Sequence, residues 1–185
     1  MEHVADPAEH MLTQRDLDHV PEDGNRYEVI DGELHMTPFP GFAHQYVISQ
    51  LMVILGSFAQ AQGLGRVFPP GLKVVLDEPT GVGPDLVYVS EPRMDDMRAD
   101  GYYGAPDLVI EVLSSKPMLD RYVKHRKYAS AGIAHYWIAD PESRILEVFR
   151  LEGARYRRVA ELKSGDTFEP ELFPGLKLET SELWP

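Results

Sequence analysis

Cysteine does not occur among the 185 residues, which excludes thiol nucleophiles, Cys-ligated zinc, iron–sulfur clusters and disulfide stapling. Long apolar runs are missing as well. None reaches the roughly 18 residues of a membrane span, and the N-terminal MEHVADPAEH is acidic where a secretory signal would be basic and then apolar. Both absences lead to the expectation of a soluble, cytoplasmic chain with no membrane partner. Phosphate-cradling glycine loops (GxGxxG, GxxxxGK-S/T), a zinc-binding HExxH and a GxSxG nucleophile elbow are all absent. Positive charge is scarce, with 18 Lys and Arg against 30 Asp and Glu, a net of −12. That balance speaks against a broad phosphate-binding surface.

What is present describes one folded domain over 1–185, with residues 1–11 expected as a loose N-terminal arm. The 43% apolar content is too high for a disordered chain. A chain of this length buries about 70% of the surface it exposes when unfolded, so it needs no covalent or metal staple. Charge is polarised along the sequence. Residues 1–33 carry net −8, 34–115 net −5, 116–163 net +5 and 164–185 net −4. The positive stretch is either a solvated face or a local basic groove.

Local patterns set the element order. Thr13-x-x-Asp16 is a helix N-cap box. Arg26-Tyr27-Glu28-Val29-Ile30 and Glu33-Leu34-His35-Met36 flank Asp31-Gly32, a hairpin signature. Val47, Leu51, Ile54, Leu55 and Phe58 recur at helical spacing from His44 to about Gln62. Residues 66–76 read as a strand pair or bent strand around Pro69-Pro70-Gly71. Strands are expected at 85–89, 107–113 and 135–139, a polar-faced helix at 119–131, a hairpin over 145–162, and short strands in an apolar tail. Strand–helix–strand alternation with β-rich flanks makes this an α/β (α+β) domain around a mixed sheet.

Two carboxylates interrupt the greasy strands. Asp85 follows Pro84 and opens Leu86-Val87-Tyr88-Val89, and Glu111 sits inside Leu108-Val109-Ile110-Glu111-Val112-Leu113. A carboxylate in a strand covered on both faces costs several kcal/mol unless it is paired, hydrogen-bonded or metal-bound; a half-exposed strand would carry it at no such cost. As a pair on neighbouring strands they suit a hard cation such as Mg²⁺, which takes oxygen ligands and keeps several waters. Such an ion activates water and neutralises charge on a phosphate. The helix that follows offers Lys116, Arg121, Lys124, Arg126 and Lys127, and Asp120, Lys124 and Tyr128 share a face. An ordinary Asp120–Lys124 surface pair would produce the same spacing.

Four stretches together resemble the PD-(D/E)XK nuclease superfamily, and more narrowly its bacterial family of restriction-endonuclease-like proteins. They are Arg26 to Leu34, Pro84-Asp85-Leu86, Asp107 to Ser114, and the run Asp120-x3-Lys124-x3-Tyr128-x3-Gly132 that continues to Tyr136-Trp137-Ile138-Ala139-Asp140-Pro141. The similarity spans about residues 12–180. It implies a mixed-sheet core flanked by helices, with additional β-hairpins, and metal-binding acids at Asp85 and Glu111. The superfamily's Glu-x-Lys would place lysine at position 113, where this chain has Leu113; Lys124 on the next helix is the matching substitute. The resemblance adds Glu28 and His44 as candidate site-lining residues, with Glu33 as the alternative acid; an exposed hairpin position would equally account for Glu33, and a helix-capping or solvent role for His44.

The reading that follows is a Mg²⁺-dependent endonuclease (Mn²⁺ as substitute) acting on phosphodiester bonds in DNA. Asp85 and Glu111 would hold the metal, Lys124 would position water and phosphate, Tyr128 would steady Lys124, and the basic segment 116–163 would face the substrate. Two alternatives stand beside it: a catalytically inactive nuclease-fold interaction module, and a hydrolase of smaller phosphate esters. A homodimer is the default assembly, because two-fold dimers are the commonest oligomers. The apolar tail (Phe168, Leu172, Phe173, Leu176, Leu178, Leu183 and Trp184) is expected to cover a sheet edge or a partner subunit.

Overall fold

A computed structural model describes residues 11–38, 40–114 and 117–185. The expected arm, apart from Met11, lies outside the described residues, as does Lys116. The capping box at Thr13 forms as read, with the Thr13 N–H donating to Asp16 Oδ2 at 2.7 Å, and opens a 3₁₀ helix at Gln14–His19. Next come β1 (Arg26–Ile30) and β2 (Glu33–Thr37), then α1 (Phe42–Ala61). Asp31 at φ 50° and Gly32 at φ 84° make the tight turn of this hairpin, the left-handed geometry that Asp-Gly tolerates best.

Strands β3 (Gly65–Phe68), β4 (Val74–Asp77), β5 (Thr80–Val82), β6 (Leu86–Ser90), β7 (Met97–Arg98), β8 (Gly101–Tyr103) and β9 (Leu108–Val112) follow. A π-helical turn at Leu119–Lys124 runs into α2 (His125–Ser130). The chain closes with β10 (His135–Asp140), the hairpin β11 (Ile145–Glu152) and β12 (Arg155–Lys163), the short pair β13 (Thr167–Phe168) and β14 (Leu178–Glu179), and a 3₁₀ helix at Thr180–Leu183.

The α+β class and the mixed central sheet are as expected. That sheet has the order β12-β11-β10-β9-β6-β3, with β9 and β10 parallel and the other pairs antiparallel. A second mixed sheet, β2-β1-β5-β4-β8-β7, packs over one of its faces. The anticipated pairing within 66–76 does not occur, because β3 belongs to the central sheet and β4 to the second. Pro69 and Pro70 remove two N–H donors from the connection, and Gly71 at φ 107° redirects the chain between sheets.

α1 lies on the opposite face of the central sheet. Its Val47, Ile48, Leu51, Leu55 and Ala59 join Leu108, Ile110, Val112 and Trp137 in one core. By length and composition α1 could cross a membrane, but this apolar face is buried in the core while Gln45, Ser49 and Ser57 face outward. The tail adds Phe173, Leu176, Leu178, Leu183 and Trp184 to the same core, so it covers a sheet face of its own chain. On the other side Val109, Leu113, Tyr128, Tyr136 and Ile138 pack against Ile30, Val74 and Val82 of the second sheet. Strands covered on both faces read as nearly continuous apolar runs. A polar side chain pointing off such a strand has no solvent to face.

Candidate active site

Alternation along β9 sends Leu108, Ile110 and Val112 toward α1, and Val109 and Glu111 toward the second sheet and α2. Glu111 is therefore 1% exposed, and the half-exposed strand is not the one that forms. Its Oε1 accepts hydrogen bonds from Tyr128 O–H at 2.7 Å and Lys124 Nζ at 3.1 Å. Its Oε2 is buried with no hydrogen-bond partner among the described residues.

Lys124 is also 1% exposed. Besides Glu111 its ammonium lies 2.9 Å from Glu28 Oε2 and 3.4 Å from Asp120 Oδ1. The Asp120–Lys124 spacing thus marks a buried contact at the end of a π-helical turn, a geometry frequent at functional sites, and not a surface pair. Glu28, on β1, is anchored by the Gly83 N–H, which donates to its Oε1 at 2.8 Å. Among the described residues Tyr128, expected beside Lys124, donates to Glu111, so that both groups converge on the same carboxylate oxygen.

Antiparallel pairing of β6 with β9 sets Leu86 opposite Ile110, and continuing that register brings Asp85 opposite Glu111. Asp85 is 1% exposed. Its Oδ1 accepts from Arg26 at 2.7 Å, and its Oδ2 accepts from the Val112 N–H at 2.8 Å and meets His44 Nε2 at 3.1 Å. With Asp85 ionised, His44 carries its proton on Nε2, and its buried Nδ1 has no partner among the described residues. His44, in the first turn of α1, is therefore buried against Asp85, while the helix N-cap is Gly41. Glu33, exposed on β2, stays outside the cluster. Two members carried no local signal: Arg26 is the half-buried first residue of β1, and Asp120 has the spacing of an ordinary surface pair with Lys124.

The electrostatics follow from the count. Four carboxylates (Glu28, Asp85, Glu111, Asp120) meet two fixed cations (Arg26, Lys124), an excess of two negative charges when all are ionised. Burial pushes Asp85 up, but His44, Arg26 and the Val112 N–H outweigh it and hold the carboxyl at about 2. For Glu111 burial prevails over Lys124, and Asp120, Asp85 and Glu28 add to it, so the carboxyl is pushed up to about 8. Burial also raises Asp120. Lys124 is disfavoured as a cation by burial but surrounded by Glu111, Glu28 and Asp120, which win and keep it charged.

A cleft of about 540 Å³ reaches the cluster between the start of α1 and the π-helical turn, lined by His44, Leu113, Arg121, Tyr122 and Asp140 among others. A smaller one of about 200 Å³ ends on Arg26, His44 and Asp85. Among its described residues, the basic segment 116–163 brings Arg121 to the larger cleft, as a paired rather than a free charge. Arg121 is paired with Glu147 and Asp140, Arg158 with Glu147 and Glu161, Arg157 with Glu152, and Lys127 with Asp31 and Asp77.

Residues 14–181 match the Uma2 family, described as "Putative restriction endonuclease". The chain belongs to the Uma2 family. Every member of the Uma2 cluster described above lies within the matched span. Among solved structures, a DUF820 protein from Anabaena variabilis, described as a "putative nuclease", superposes with a TM-score of 0.75 at 20% identity, covering 93% of this chain and 97% of that one. The two share their fold. The type IIG restriction endonuclease BpuSI overlaps with a TM-score of 0.44 at 13% identity, over 76% of this chain and 15% of that one. Curated proteins gave no match. Family and fold together place this Uma2 chain in the restriction-endonuclease-like nuclease class.

Proposed function

We propose that this Uma2 protein is a metal-dependent endonuclease that hydrolyses phosphodiester bonds in DNA, with Asp85 and Glu111 as metal ligands. The observation that carries the reading is a buried cluster of four carboxylates with two fixed cations, Arg26 and Lys124, beside a cleft that ends on Arg26, His44 and Asp85. A purely structural network gains nothing from surplus buried charge, which costs several kcal/mol per uncompensated ion.

The donor set suits Mg²⁺ or Mn²⁺. No three carboxylate or imidazole groups form a ready cage among the described residues, but Mg²⁺ takes one or two carboxylates and keeps its waters. Glu111 Oε2 is a buried hard donor with its hydrogen-bonding capacity unused, and Asp85 lies opposite it in register. A cation held there would supply Lewis acidity toward phosphate and a more acidic bound water. The protein's own groups do the rest. Tyr128 and Lys124 pin Glu111 by its other oxygen, leaving Oε2 directed elsewhere. His44 and the Val112 N–H fix the rotamer of Asp85. Lys124, kept cationic by Glu28 and Asp120, orients the attacking water and balances charge on the phosphorane-like transition state.

Calorimetric titration with Mn²⁺, comparing wild type with Asp85→Ala and Glu111→Gln, tests this directly. Saturable binding lost in both variants, together with Mn²⁺-dependent cleavage of DNA lost in both, is the expected result. The inactive-module reading is favoured by the same ion pairs, since Arg26 and Lys124 already engage both acids. It predicts no Mn²⁺ isotherm and a lowered melting temperature in both variants.

A further inference from the structure

The three groups at the heart of the site, Asp85, Glu111 and Lys124, are each 1% exposed. Two clefts open beside this group, one between α1 and the π-helical turn and a smaller one that ends on Arg26 and Asp85, and His44 and Pro40 line both. The phosphates of a duplex lie on the outside of a stiff rod whose bases are stacked away. A stiff duplex offers its phosphates only from the outside of the rod, whereas an unpaired strand can follow a cleft of about 540 Å³ with its bases splayed.

The mouth of that cleft has the chemistry of a stacking platform. Tyr122 and Met118 line it while remaining 57% and 65% exposed. Phe42, between the lining residues Gly41 and Ala43, is 74% exposed, with its ring 5.9 Å from that of Tyr46. Large apolar side chains left open around a cleft mark a binding surface. The charge at this mouth does not suit a duplex backbone: Asp140 and Glu142 line it, and Arg121 is neutralised by Glu147 and Asp140. Stacking on aromatic rings needs no net charge, because every base has a π-face.

We propose that the cleft takes a single-stranded segment of nucleic acid, with bases stacked on Tyr122 and Phe42 while the backbone reaches toward His44 and Asp85. The inference rests on the nuclease reading for its chemistry, and its binding test does not.

Fluorescence anisotropy in EDTA, with the full chain and no turnover, would compare a labelled oligothymidylate, an oligouridylate and a blunt duplex of equal length. Tighter binding of either single strand than of the duplex, by tenfold or more, is expected, and the better of the two identifies DNA or RNA. Tyr122→Ala and Phe42→Ala should each weaken strand binding by about fivefold or more, the range of one lost base–aromatic stack, and Tyr122→Phe should retain it. Both positions are exposed, and an unchanged melting temperature verifies the fold. Equal or tighter binding of the duplex, no binding of any probe, or indifference to Tyr122→Ala and Phe42→Ala overturns the proposal. Selective strand binding without Mn²⁺-dependent cleavage would sink the nuclease chemistry alone; cleavage of duplex with no strand preference would sink this inference alone.

Discussion

Replacing Lys124 by methionine isolates the electrostatics of the site from its shape. The side chains have similar length and both suit a buried position, so the change is chiefly the loss of one charge among three carboxylates. At 2.9, 3.1 and 3.4 Å, each contact is worth about 5 kcal/mol of gross attraction at an effective dielectric of roughly 20. Most of that offsets desolvation. The measurable quantity is the penalty of leaving buried acids without their cation, about 3–5 kcal/mol. For a domain of this size that corresponds to a fall in Tm of roughly 6–20 °C. Calorimetric melting of wild type, Lys124→Met, Glu111→Gln and the double variant gives both the cost and the coupling. At alkaline pH, where the Glu111 carboxyl (held at about 8 in the wild type) carries a charge to strand, Glu111→Gln should recover more than about 1 kcal/mol of the loss in the Lys124→Met background. The deficit should also shrink as pH is lowered and the remaining acids protonate. A Tm change under about 2 °C, or a coupling near zero, would refute the account of Lys124 as the charge centre of the site.

Glu111 sets a pH dependence of opposite sign to that of an ordinary ion-paired acid. Its carboxyl in the folded protein sits at about 8, above the ordinary 4.5, so the folded state binds the extra proton; its contribution is complete below about 4.5 and is lost as pH rises toward 8. Metal-free wild type should lose stability across that window in urea melts, and Glu111→Gln should flatten the slope; a wild-type stability that rises there contradicts the assignment. Tyr128→Phe removes the 2.7 Å bond to Glu111, whose carboxyl at about 8 is neutral at pH 7, and should cost about 0.5–1.5 kcal/mol, the worth of a hydrogen bond between neutral groups. A loss below 0.5 kcal/mol in chemical denaturation would mean that the contact is not made (roughly the scatter of surface substitutions). Leu51→Ala, in the core under the opposite face of the central sheet, should cost about 2–5 kcal/mol and leave Mn²⁺ titration unchanged; an altered isotherm would show that the two faces are coupled.

Much of this protein was legible residue by residue because the deciding forces are local. Helical spacing located α1, Asp31-Gly32 located the first hairpin, and Thr13 with Asp16 announced its capping box. Glu111 stood out because a carboxylate in an apolar strand contradicts its surroundings, and that contradiction survives without knowing what the strand packs against. The second sheet was harder to see: β5, β7 and β8 are two or three residues long, too short for alternation to register.

What tertiary structure alone decided is who partners whom. Arg26 reaches Asp85 across 59 positions and His44 reaches it across 41, while Lys124 meets Glu28 and Glu111 from a helix on neither strand. The basic segment 116–163 looked like a face for substrate and proved largely paired with the protein's own acids, because folding places opposite charges together at distances that composition cannot express. Sequence determined which groups would be costly to bury. The packing of α2 and the second sheet over β9 decided that they are buried together, and it is this shared burial, with two acids more than cations, that turns ordinary side chains into a candidate active site.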